Sequence, residues 1–218
     1  MLLGLDPQTL IIRLLVLLLA VTVLEFAHNY VGYKMGDPVP KQLGKLTLNP
    51  MVHINWMGWL MFALIGFGIL GSAPISADRM RNPRWGYLAA VAAGPLSNLL
   101  LAIIGGVIFQ LFFGLTTAYD NPLIFNIFYQ FVLWNVLLFV FNLIPLFPLD
   151  GWHILLSILP NELAWRWWDY KTQSYYVFLG LIFYSLAVGY LRISFLPDLL
   201  GLLISQPTGA ISRLLLGF

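Results

Sequence analysis

Trp56-Met57-Gly58-Trp59-Leu60-Met61-Phe62-Ala63-Leu64-Ile65-Gly66-Phe67-Gly68-Ile69-Leu70-Gly71 is apolar, rich in glycine and short, and whether it crosses a bilayer decides the topology of everything after it. A helix over it reaches only about 24 Å at 1.5 Å per residue, against roughly 30 Å of hydrocarbon. The loop before it carries Lys34, Lys41 and Lys45, and the loop after it carries Arg79, Arg81 and Arg84. A full crossing puts these two equally basic loops on opposite faces, which the positive-inside rule disfavours. The conflict vanishes if the segment dips in and returns, since irregular backbone at membrane depth is tolerated where protein buries it. Both basic loops then share one face with Arg166 and Lys171, while the connection 116–122, without Lys or Arg, lies on the other.

Composition agrees that the medium is lipid. Of 218 residues, 60% are hydrophobic and 9% charged, with a mean hydropathy of +0.86, outside the range of a soluble domain. Spanning helices are expected at 9–33, 86–115, 123–147 and 174–191, with Gly94-Pro95 at the opening of the second. The tail 193–218, interrupted by Pro197 and Pro207 and carrying Asp198 and Arg213, reads as a half-span or an interfacial helix. The predicted fold is therefore an all-α polytopic membrane protein, with four to six transmembrane helices and a re-entrant or irregular segment between the first and second. Residues 1–160 form the membrane core; 161–218 add an aromatic interfacial segment (Trp165, Trp167, Trp168, Tyr170, Tyr175, Tyr176) and C-terminal membrane helices. The first apolar segment lacks a basic leader and a cleavage site, so it is expected to be retained. A net charge of +2 gives no sign of nucleic-acid binding, and without cysteine any metal must be held by nitrogen or oxygen.

Near the end of the first helix stands Leu24-Glu25-Phe26-Ala27-His28. Glu25 and His28 supply most of an H-E-x-x-H signature, in which two histidines on one helix face hold zinc and the glutamate activates its water. Leu24 occupies the first histidine's place and has no lone pair. The predicted topology delivers Asp150, at the end of the third helix, to the same face and depth as Glu25 and His28. Taken singly, Glu25 and His28 also read as an interfacial hydrogen-bonded pair, and Asp150 as a turn former or helix N-cap. His153, three residues after Asp150, shares a helical face with it and is a candidate substitute ligand.

Four motifs in order, Glu25-Phe26-Ala27-His28, Leu46-Thr47-Leu48-Asn49-Pro50 with His53, Ala93-Gly94-Pro95-Leu96-Ser97-Asn98, and Phe141-Asn142-Leu143-Ile144-Pro145 running into Pro148-Leu149-Asp150-Gly151, resemble the site-2 protease family of intramembrane zinc metalloproteases, peptidase family M50. The resemblance covers residues 10–160. It implies zinc as cofactor, Glu25 as catalytic base, His28 and Asp150 as metal ligands, and Asn98, Asn142 and His53 in supporting or substrate-binding roles. It further implies a transmembrane segment of a membrane-anchored protein as substrate, in a bacterial cytoplasmic membrane with the site toward the cytoplasm. Leu24 is the departure, and it predicts that peptide hydrolysis is lost or weakened. Two alternatives stand beside this reading: a non-catalytic, protease-derived scaffold that binds transmembrane segments, and a transporter. The transporter is disfavoured because the polar residues gather at one depth and no inverted repeat is evident.

Overall fold

The computed structural model describes residues 6–65, 68–71, 73–115, 121–191 and 195–218. Among these, the secondary structure is helical apart from one isolated β-bridge, and five helices are long and apolar enough to cross a membrane. The protein is an integral membrane protein of the all-α polytopic class.

Helix α1 (Pro7–Lys34) is capped by Asp6, whose carboxylate accepts from the Thr9 N–H at 2.9 Å, with proline in the first turn where a missing N–H costs nothing. A one-turn helix α2 (Val39–Gln42) and a 3-10 turn (Pro50–Val52) lead to α3 (Trp56–Ile65), about 15 Å long and unable to span. The chain then turns back. Ile54 bridges Gly71 in antiparallel fashion, and Leu70 O accepts from both the Asn55 N–H (2.9 Å) and the Trp59 indole N–H (3.1 Å). A Cβ at Gly58 would overlap the Ile69 carbonyl and one at Gly68 the Gly58 carbonyl, so the glycines permit the return strand to lie against α3. Gly66 and Phe67 lie outside the described residues.

The ends of this excursion are tied together. The Arg81 N–H donates to Met35 O (3.0 Å), and fully buried Asp37 accepts from the Val39 N–H (3.0 Å) and the Ser76 N–H (2.6 Å). Gly36, at φ 111°, makes the turn beside Arg81. The two basic loops therefore share one face, and the segment between them is re-entrant. Single-cysteine labelling of Lys41→Cys and Arg81→Cys should succeed from one side of the membrane and of Asn121→Cys from the other; Lys41 and Arg81 labelling from opposite sides would overturn this topology.

Helix α4 (Pro83–Leu115) starts three residues earlier than the sequence suggested and carries Pro95 in its interior instead of at its opening. Its far end leads toward α5 (Pro122–Asn142) through a connection of which residues 116–120 lie outside the described residues. Asn121 caps α5 by accepting from Leu123 and Ile124 at 3.2 Å, and the Asn126 amide donates to Thr9 Oγ1 at 2.9 Å. The starts of α1 and α5 thus lie together, opposite the basic loops. Helix α5 ends at Asn142, not at 147, because Pro145 removes a donor and drives the preceding residue out of helical geometry. A run of turns leads to α6 (Asp150–Ile158), then to α7 (Asn161–Asp169) and α8 (Lys171–Leu191). Arg84 binds α6 to α4, donating to the carbonyls of Ser157 (2.8 Å), Ile158 (3.0 Å) and Leu159 (2.7 Å) at the end of α6.

The tail is one continuous helix, α9 (Leu199–Leu216), long enough to cross, with Pro207 inside it; residues 192–194 lie outside the described residues. Packing outweighs the lost N–H of Pro207. Leu216 joins the core of Phe109, Phe113, Val132 and Val136 between α4 and α5, and Gln110 donates to Leu215 O at 2.8 Å. A second core of Leu17, Ala20, Val21, Phe62 and Leu138 clamps α3 between α1 and α5. Leu15, Leu100 and Leu111 are more than half exposed, as an acyl-chain surface requires, and Trp165 on α7 is 72% exposed beside the basic face.

Candidate functional site

The site lies between α1, α4, α6 and the returning segment 68–71, roughly two turns inside the basic end of α1. Glu25 and His28 are both 5% exposed. His28 owes its position to α4. Pro95 has no N–H to offer the carbonyl four residues back, Val91 O, and His28 Nε2 takes that place at 3.0 Å. Gly94 makes the approach possible, since a Cβ there would overlap the imidazole. The Gly94-Pro95 pair is thus a socket for one side chain.

Asp150 arrives from the opposite side, at the first position of α6. Gly151 lets that helix start against the backbone of 143–144, where a Cβ would overlap the Leu143 and Ile144 carbonyls. Asp150 Oδ2 lies 3.2 Å from His28 Nε2. The ring nitrogen points at Val91 O, so the carboxylate oxygen is an off-axis ionic neighbour without a directed hydrogen bond. Glu25 Oε2 is buried and unpaired, and the return strand closes over it: a Cβ at Gly71 would lie 2.6 Å from Glu25 Oε1. These groups border a cavity of about 350 Å³, with Leu24, Gly71, Tyr87, Asn142 and His153 also on its wall.

The other candidates divide. His153 faces the cavity, but its Nδ1 meets the Tyr87 hydroxyl at 3.2 Å and its ring stands edge-on to Tyr87. Among the described residues no group of three or more His, Cys, Asp or Glu side chains is arranged to hold a metal ion. Asn142 lines the cavity and donates to Leu138 O at 2.9 Å. Asn98 is fully buried and neither of its amide atoms has a partner. His53 lies off the cavity and pins the loop, its Nε2 at 2.7 Å from Thr47 O, while Lys45 donates to Val52 O nearby. Burial holds the His53 imidazole below its ordinary range. Sequence reasoning missed Tyr87 and Asn29, whose amide donates to Glu25 O at 2.7 Å. Tyr87, one residue in a long apolar helix, gave no signal; Asn29, adjacent to His28 on a membrane helix, did.

Together these features define a polytopic membrane protein with a histidine–carboxylate site sunk below its basic face. Relatives of known name agree. The chain is 35% identical over 171 residues to YwhC of Bacillus subtilis, covering 76% of this chain and 77% of that protein. It is 30% identical over 142 residues to Rip2 of Mycolicibacterium smegmatis, covering 59% and 49%, and 29% identical over 148 residues to MJ0392 of Methanocaldococcus jannaschii, covering 68% and 34%. The names of all three contain the words zinc metalloprotease. The chain belongs to this family of membrane zinc-metalloprotease homologues, the site-2 protease family. No family model matches it, and no solved structure matches it.

Proposed function

We propose that this protein receives a transmembrane segment of a membrane-anchored protein in the cleft beside Glu25, His28 and Asp150, and that peptide hydrolysis there is lost or severely weakened. The observation that carries this reading is the donor set. The family implies zinc, and a catalytic zinc takes three protein ligands and a water. Here two ligand-type side chains face each other at 3.2 Å, the third position is the hydrocarbon of Leu24, and among the described residues no three His, Asp or Glu side chains are grouped to hold a metal. These residues do not make a three-ligand zinc set.

What remains is a binding site. The cavity wall is largely apolar and suits a transmembrane segment, while Asn142, Glu25 and Asp150 provide hydrogen-bonding groups for a peptide backbone opened within the bilayer. The core over 1–160 builds the cleft, and 161–218 buttresses it through the aromatic interface and the last two helices. The positive-inside rule supports a cytoplasmic basic face and hence a site on the cytoplasmic side of a bacterial cytoplasmic membrane. The experiment mixes the purified chain with a reporter transmembrane substrate, with and without added zinc and chelator. Co-purification of intact reporter, cross-linkable from a photoreactive residue at Asn142, is expected. Chelator-sensitive cleavage by the unmodified chain would overturn the loss of hydrolysis, with His153 then the first substitute ligand to remove.

A further inference from the structure

Asn98 presents an anomaly that the site as described does not use. It is 0% exposed, and both its amide nitrogen and its amide oxygen lack a hydrogen-bond partner. A buried amide left unpaired destabilises a fold. The registry of α1 on α4 shows what it faces. The two helices run antiparallel, with Gly32 against Ala90 and His28 against Gly94, so four residues back along α1 match four forward along α4. The next step sets position 24 opposite Asn98.

We infer that Asn98 is a positioning residue for a hydrogen-bonding ring at position 24, retained in a chain where that position is Leu24. This rests on reading Leu24 as a lost ligand position. A ligating imidazole ordinarily donates its second ring N–H to a neighbouring acceptor, which fixes tautomer and orientation. An amide oxygen that is buried, unpaired and in register with position 24 meets that need. The mismatch with zinc is thereby confined to one side chain, with its support still in place.

A double-substitution cycle tests this on the full-length protein in detergent, reading apparent melting temperature and zinc affinity. In the native background Asn98→Leu, close in shape and without polar atoms, should raise the melting temperature by about 3 °C. Combined with Leu24→His it should instead lower it, and weaken zinc affinity about 10- to 100-fold. Asn135→Leu, on α5 and also fully buried, should act alike in both backgrounds. Should Asn98→Leu fail to fold, Asn98→Ala removes the same amide. An Asn98 effect of the same sign and size in both backgrounds would overturn the inference. Zinc uptake by Leu24→His that ignores Asn98 would leave the lost-ligand reading standing and sink this one. Sign reversal without zinc uptake would do the opposite.

Discussion

Purified Leu24→His protein is expected to carry close to one zinc per chain and to cleave a reporter transmembrane segment in a chelator-sensitive way, where the unmodified chain does neither. The effect should be large because two ligands and three differ in more than number. With Leu24, His28 Nε2 is directed at Val91 O and Asp150 lies beside it, so both groups are engaged with the protein. An imidazole at position 24, on the wall of the same cavity, supplies the third donor and makes turning both groups toward a common point favourable. Glu25, buried with an unpaired oxygen, then stands where a base is needed. Zinc content measured by mass spectrometry decides the first half and product analysis the second. A variant that remains metal-free while folded would show that more than position 24 has been lost.

Gly94→Ala should have a large effect in the opposite direction, on stability. The added methyl would overlap the His28 ring, which lies 3.0 Å from Val91 O and 3.2 Å from Asp150 and would have to leave that position. Overpacking of this kind costs about 3 kcal/mol, and the apparent melting temperature should fall by roughly 6–12 °C for a chain of this size. Gly180→Ala is the control. Nothing lies within 4 Å of the Cβ it adds in α8, so the better helix former should leave stability unchanged or slightly improved. Equal behaviour of the two variants would mean that His28 is not held as described.

The re-entrant segment was legible from charge, since Lys34, Lys41 and Lys45 against Arg79, Arg81 and Arg84 disfavoured a crossing; that Gly58 and Gly68 let the chain lie back on itself emerged only from the structure. The meeting of His28 with Asp150 followed from topology once that segment was placed. Other features were hidden because they depend on partners distant in sequence. Pro95 looked like a helix start, since a proline inside a helix is usually costly, yet here His28 uses the carbonyl that the proline frees, Val91 O, 63 residues away in the chain. The end of α5 was overrun because hydropathy continues through 143–147 while Pro145 has already ended the helix. Pro207 was read as a break, but α9 packs along α4 and α5 strongly enough to continue through it. The isolation of Asn98 is a property of what surrounds it and has no signature in sequence.

The gap in the α4 ladder at Pro95 has a mechanical side. The segment of α4 on the basic side of that gap carries Tyr87 and, through Arg84, grips the last carbonyls of α6. That same segment holds Val91 and Gly94, against which His28 is seated. One stretch of α4 therefore serves both partners: through Arg84 it fixes α6 with Asp150 and His153, and through Val91 and Gly94 it fixes His28, so the His28–Asp150 separation is set by a single piece of backbone.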